Sequence, residues 1–274
     1  MSNDALTHPT DALAIGHALT EAATTAGYAP SIHNTQPWRW RITGHLLDLF
    51  TDRSRVLAVT DPEARLATLS CGVALHHARM ALAAQGWQVT TAVEAEDTWL
   101  HTLTPGQVLE LASAADHAQR SEADDKSWLE ELAYWTGGTR PAGTGIPDAA
   151  IPDRATRTTV PSRDFGHDGD LGLNAGHDKA AVYVMLHGRT DEPSDWLRAG
   201  EALSAGWLTA TEHGVSVLPH SAPIEVVSTR QAMRVILAST GYPYLVLRLG
   251  TIDPADAGPP YAPRLPADQI IEQS

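Results

Sequence analysis

The chain has 274 residues, 43% of them hydrophobic, which is enough for one large domain or two small ones with a sizeable core. Its formal net charge of -14 disfavours nucleic acid and anionic membrane as partners, so a phosphate on any ligand must be met by a few local arginines. The single cysteine, Cys71, excludes an intrachain disulfide and a cysteine-based zinc cage. No apolar run approaches a bilayer span and Met1 to Thr10 has no apolar signal core, so a soluble cytoplasmic protein is the expectation.

Residues Asp11 to Thr25 carry Ala12, Ile15, Leu19 and Ala22 at helical spacing, with Thr10 or Asp11 as cap and Gly27 as terminator. Trp38 to Thr43 alternates, with Trp38, Trp40 and Ile42 on one face and Arg39 and Arg41 on the other. Gly44-His45 then fits a type II′ turn, and Leu46 to Phe50 returns as the hairpin partner. Asp52 to Asp61 is a charged connection. Cys71 to Gln85 is a helix pattern apolar on nearly all sides, which predicts a central, buried helix. After Gly86, Trp87 to Val93 suits a strand. Pro105 to Trp135 suits a helix broken near Asp124-Asp125.

From Gly137 to Asp178 the composition turns to Gly, Pro, Thr and Asp without periodicity. That is too long for a routine loop, so the segment is a functional cover or is partly disordered. It divides a single domain, 1–274, into a first half, 1–136, and a second half, 179–274. Ala180 to Leu186 is a buried strand by its apolar run, and Asp195 to His213 is a long helix closed by Gly214. Ser228-x-x-Gln231 is a capping-box signature for a last helix reaching about Ser239. Tyr244 to Leu249 is a final strand, and the Pro-rich tail from Pro254 is expected to wrap the surface.

The two long helices echo each other. Gly72-Val73-Ala74-Leu75 and Gly200-Glu201-Ala202-Leu203 share one offset, 128 residues, with the terminating glycines Gly86 and Gly214. Two readings stand: a pseudo-two-fold architecture, or a chance likeness of two small-residue helices.

The densest polar stretch is Ala29 to Trp38, where a Ser, a His, an Asn, a Thr and a Gln fall between a helix and a hairpin. It reads either as a loop holding a polar, planar ligand or as an ordinary connection built on Asx-type turns. Other chemistry has weaker signals. His76 and His77 are adjacent rather than one turn apart, so they do not face one metal, and one exposed and one packed imidazole is expected. Asp124-Asp125 and Glu130-Glu131 read as solvated helix faces. There is no Gly-x-Ser-x-Gly elbow, dinucleotide fingerprint or P-loop. Trp38 and Trp40 are the tryptophans expected near a ligand.

Pro30-Ser31-x-x-Asn34-x-Gln36-Pro37-Trp38 resembles the flavin-contact motif of the nitroreductase family. With Ser70-Cys71-Gly72-x-Ala74-Leu75 and Trp196-Leu197-Arg198-Ala199-Gly200-Glu201-Ala202-Leu203, the chain is similar to the Acg-like actinobacterial branch. The resemblance implies an α+β, nitroreductase-like fold, with an antiparallel or mixed sheet, flanking helices and a pseudo-two-fold within one chain. It also implies FMN as cofactor and NAD(P)H as co-substrate. Pro30, Ser31 and Asn34, with Gln36 nearby, would lie against the flavin. Ala222-Pro223-Ile224-Glu225 resembles the family's Pro-Ile-Glu-Gly segment, placing Pro223, Glu225 and the backbone N–H of Val226 by the N5 edge, with Val226 in place of the usual Gly. Arg264 resembles the C-terminal basic residue that pairs with the phosphate.

The family's Arg-Arg-x-Ser-x-Arg-like motif has no counterpart, and the chain is short around Glu94 to Thr98; Arg230 and Arg234 stand as further cations. No acid–base residue is required, because the flavin carries the chemistry. The expected activity is reduction of a nitroaromatic, a quinone or a similar small acceptor by a monomeric pseudo-dimer or a homodimer. The alternative is a flavin-sequestering or non-catalytic relative on the same scaffold.

Overall fold

Helix α1 spans Pro9–Ala26, and the hairpin β1 (Trp38–Thr43) and β2 (Leu46–Thr51) follows the polar loop. Gly44 has φ +60 while His45 stays at negative φ, as a type II′ turn requires. Along β1 the burial alternates, and Trp38, Trp40 and Ile42 are the buried set. The structure is a computed structural model that describes residues 9–89, 98–137, 140–154, 158–172, 180–251 and 262–273.

Helix α2 (Arg65–Ala84) begins earlier than the apolar periodicity from Cys71 implies. Ala64 adopts a left-handed conformation that starts it, and the Asp61 carboxylate accepts from the Ala67 N–H at 2.8 Å. Such a bond satisfies one of the free donors of a first helical turn. Trp87 to Val89 is not a strand, contrary to the sequence expectation, and the rest of that stretch lies outside the described residues. Trp87 and Val89 are exposed, so β-type composition there meets no sheet.

A strand that the sequence did not announce, β3 (Thr98–Thr102), follows. Then come α3 (Pro105–Ala123) and α4 (Lys126–Thr136). The break falls at Asp124-Asp125 because the Asp125 carboxylate caps α4, accepting from the Ser127 N–H at 2.8 Å.

The second half holds β4 (Val182–Gly188), α5 (Pro193–Glu212) and β5 (Val215–His220). It continues through the short α6 (Ala222–Glu225), α7 (Val227–Ile236) and β6 (Tyr242–Thr251). Helix α7 is not opened by a Ser228–Gln231 capping box. Its N-cap is Val226, without a side-chain bond, and Ser228 is already helical. The tail does more than wrap the surface: α8 (Ala267–Ile270) leads into β7 (Ile271–Gln273), which pairs in parallel with β1.

Two sheets result, one ordered β2-β1-β7 and one ordered β3-β4-β6-β5 and antiparallel throughout. Helices α2 and α5 pack on each other and share one core with α1, the inner face of β1, and Val184, Leu186, Leu245 and Leu247 of the larger sheet. The opposite face of that sheet, with Tyr183, Met185 and Val246, packs on α3 and α7. A Cβ on Gly72 would lie 3.0 Å from the Gly200 Cα, so the backbones of α2 and α5 touch.

Across this crossing, His76 Nδ1 meets Ser204 Oγ at 2.9 Å and Arg79 reaches Glu201 at 2.6 Å. His76 and His77 are both half-buried, not one exposed and one packed, and His76 is the one that meets α5. Among the described residues, no helix is long and apolar enough to cross a membrane.

Candidate functional site

The loop after α1 is a compact, strained turn. His33, Asn34 and Gln36 have φ of 44°, 52° and 49°, a left-handed conformation that costs a non-glycine residue about 1 kcal/mol or more. Hydrogen bonds hold it there. Ser31 Oγ accepts from the Gln36 N–H at 2.9 Å, and Ser70 Oγ on α2 accepts from the Ile32 N–H at 3.2 Å. Asn34 Nδ2 donates to the carbonyls of Gly145 at 3.0 Å and Pro263 at 2.9 Å. Gln36 Nε2 donates to the Gly143 carbonyl at 2.7 Å, and its Oε1 accepts from the Leu265 N–H at 2.9 Å. The loop thus ties residues 143–145 and 263–265 to α2.

One face of this loop walls a cavity of about 900 Å³. Pro30, Ser31 and His33 form that wall, continued by Ser70 and Val73 of α2 and Leu203 and Trp207 of α5. The Gly- and Pro-rich stretch supplies Ile146, Pro152, Arg154 and Arg163, and the larger sheet with its adjoining turn supplies His220, Pro223 and Arg248. Arginines and histidines face the cavity, yet among the described wall residues there is no Asp or Glu, in a chain with 33 of them.

Behind the wall lies a buried charge cluster. Arg163 Nη2 donates to Glu225 Oε1 at 2.5 Å and to Ser221 Oγ at 3.4 Å, and its guanidinium lies 5.4 Å from the Trp128 ring centroid. Glu122 is 3.6 Å from the same guanidinium. Burial pushes the Glu122 carboxyl up to about 8. Burial also opposes charge on Glu225, but Arg163 outweighs it and holds that carboxyl below its usual range. Burial, then the Arg163 charge, drives His33 down to about 3, so its imidazole is neutral.

Of the residues singled out in the sequence, Pro30, Ser31 and Pro223 reach the cavity wall. Asn34 and Gln36 are turned to the tail and the Gly-rich stretch. Glu225 is spent on Arg163, and Val226 caps α7. Arg264 donates to Asn34 Oδ1 at 3.2 Å and to the Tyr28 carbonyl at 3.1 Å. Arg230 reaches Glu63 at 3.3 Å, and Arg234 stacks 3.9 Å from the Tyr242 ring centroid.

Trp38 and Trp40 are fully buried in the core, not beside the cavity, because the alternation that marks β1 turns both toward α1 and α2. Among the described wall residues the tryptophan is Trp207. Sequence reading did not assign Arg154, Arg163, Arg248, His220 or His33 to a site. No spacing links the first four, which only tertiary packing brings together.

No family model matches the sequence. A Mycobacterium tuberculosis protein named "Putative NAD(P)H nitroreductase Rv3131" is 32% identical, over 97% of this chain and 93% of its own length. A second protein of that organism, named "Putative NAD(P)H nitroreductase acg", is 28% identical over 89% of this chain and 92% of its own length. The first alignment runs over 327 positions, more than the 274 residues here, so that relative carries residues this chain lacks. A solved structure titled as the FMN and NADPH-dependent nitroreductase NfnB, from a Sphingopyxis strain, covers 97% of this chain and 98% of its own. It has 17% identity and a TM-score of 0.29, so the kinship rests on the sequence relatives.

Proposed function

The chain belongs to the NAD(P)H nitroreductase family, and from that premise we propose that it binds FMN in this cavity and uses it to reduce a nitroaromatic, a quinone or a similar small acceptor. The observation that carries the reading is the cavity itself: about 900 Å³, apolar along α2 and α5, edged by Pro30 and Ser31, and bearing arginines but no carboxylate on its described wall. That volume is in the range of cofactor sites. Neutral hydrogen-bonding groups with a few cations suit a polar, planar ring that ends in a phosphate.

When bound, FMN would supply two-electron redox chemistry between a nicotinamide and an acceptor. The chain's own residues bind, orient and exclude water. Pro30, Ser31 and Pro223, on the cavity wall, would border the ring. Asn34 and Gln36 hold the Pro30–His33 wall in place through their bonds to residues 143–145 and 263–265. Glu225 acts from behind the wall by fixing Arg163. For the phosphate, Arg248 with Arg154 is better placed than Arg264, because both line the cavity and Arg264 is not among the described wall residues. Charge-assisted contacts of that kind contribute roughly 1.5–3 kcal/mol each.

A second reading, flavin sequestration without turnover, is favoured by the Gly- and Pro-rich stretch, whose described residues Ile146, Pro152, Arg154, Thr158, Arg163 and Leu171 line the cavity and whose Arg163 is locked in a buried ion pair. The protein as purified, or after addition of FMN, is examined by absorption spectroscopy under anaerobic conditions. Flavin colour that bleaches with NADH or NADPH and returns with a nitroaromatic or quinone supports the enzyme. Colour without bleaching supports sequestration. Protein that leaves the fluorescence of added FMN unquenched rules out both.

A further inference from the structure

A second, smaller cleft of about 130 Å³ lies between α7 and the start of β6. Val227, Arg230, Gln231 and Arg234 line it at the spacing of one helical face, opposite Tyr242 and Pro243. Asp191, from the connection before α5, also lines it. None of these residues is on the wall of the larger cavity.

Both arginines are held in place with donors left over. Arg234 stacks 3.9 Å from the Tyr242 ring centroid, and its Nε donates to the Gly241 carbonyl at 3.2 Å. Among the described residues, nothing bonds its two Nη atoms. Arg230 makes only long bonds, from Nη1 to the Ile224 carbonyl at 3.4 Å and from Nη2 to Glu63 at 3.3 Å. The Glu63 side chain is 60% exposed, so water competes for that pair. Asp191 is already engaged, since its Oδ1 accepts from Arg65 Nη1 and from Trp196 Nε1 at 2.8 Å.

Positive charge is therefore in local excess, in a chain whose net charge is -14. Burial first, and then repulsion from Arg65, lowers the Arg230 pKa despite Glu63 and Asp191. An anion beside Arg230 offsets that repulsion. Guanidinium forks match the oxygens of a phosphoryl group in pairs, and a guanidinium already ordered loses less entropy on binding. The volume is below the roughly 300 Å³ at which small-molecule sites begin, so the cleft admits one compact group and leaves any remainder of a ligand in solvent.

The geometry points to a phosphoryl-binding site in this cleft, between Arg230 and Arg234, for free phosphate or for the terminus of a phosphate monoester. It is separate from the flavin cavity and does not depend on the flavin reading.

The test is calorimetric titration of the full chain with inorganic phosphate and with glycerol phosphate at about pH 8, where both are mainly dianionic. Chloride at matched ionic strength is the control. Gln231 is exposed, and glutamate suits a helix as well as glutamine does, so Gln231→Glu places a carboxylate where the anion would sit without disturbing the helix. Gln231→Glu and Arg234→Gln are each expected to weaken, at least tenfold, a phosphate site that Arg248→Gln, in the larger cavity, leaves unchanged. Ligand-free Gln231→Glu is expected to melt no lower than wild type, so that lost binding is not lost folding. The tighter of the two ligands identifies the source, free phosphate or ester.

Wild type that responds to phosphate no more than to chloride overturns the proposal. So does a phosphate affinity that Gln231→Glu leaves unchanged. A loss confined to Arg248→Gln overturns it too, because the anion then sits in the larger cavity.

Discussion

Gly72 and Gly200, 128 residues apart like the His76–Ser204 pair beside them, are where α2 and α5 cross backbone to backbone. A Cβ on Gly72 would overlap the Leu197 carbonyl oxygen, and one on Gly200 would overlap that of Leu69. Leu69 and Leu197 stand at the same separation in sequence. The echo between the two helices is therefore also a contact symmetry, in which each glycine receives the equivalent carbonyl of the other helix.

Gly200→Ala should therefore be costly, at the upper end of overpacking penalties, about 3 kcal/mol. The obstruction is backbone and cannot rotate away. Gly206, in the same helix, has open space where a Cβ would go. Gly206→Ala should stabilise by about 0.5–1 kcal/mol through helix propensity. Thermal or urea unfolding of the two variants side by side checks the contrast.

Asn34→Ala removes two donated bonds from a buried amide and a side chain suited to the left-handed backbone. It should cost about 2–3 kcal/mol of stability even in the absence of flavin. A melting temperature unchanged from wild type would mean that the loop is held by other means.

Glu122 gives a pH signature. Its carboxyl stands at about 8 in the folded protein against an ordinary 4.5, because it is buried. A raised pKa means that the protonated form favours the folded state. Its contribution is complete below about pH 4.5, is lost progressively as the pH rises toward about 8, and is constant beyond. Glu122→Gln cannot lose that proton. Its stability relative to wild type should rise steadily from about pH 5 to about pH 8, as urea unfolding across that range would record.

Arg248→Ala should weaken FMN by roughly tenfold to a hundredfold while leaving riboflavin, which lacks the phosphate, nearly unaffected. Arg264→Ala should instead weaken both to the same degree, through the loop that it braces. Parallel titrations with the two flavins separate these outcomes.

The sequence made the hairpin legible because β1 has one buried and one solvated face, which alternation records directly. It also showed the break between α3 and α4, because Asp125 caps locally. Strand β7 could not be read that way. It is three residues long and exists because β1 has a free edge beside it. Trp87 to Val89 misled for the converse reason, β-type residues with no sheet to join. In the site, Pro30 and Ser31 were recognisable from a motif. Arg163 and Arg248 were not, since one sits in a stretch without periodicity and the other faces the cavity only through the register of β5 on β6, where it lies opposite Leu218.

The contrast between an acidic chain and a described cavity wall without carboxylates has a kinetic consequence. At low ionic strength an anionic ligand approaching the chain meets a repulsive field, and within the cavity it meets arginines. Added salt screens the long-range repulsion and so should speed association. The same salt competes at the arginines and should speed release, so two rate constants rise together while the equilibrium between them moves little.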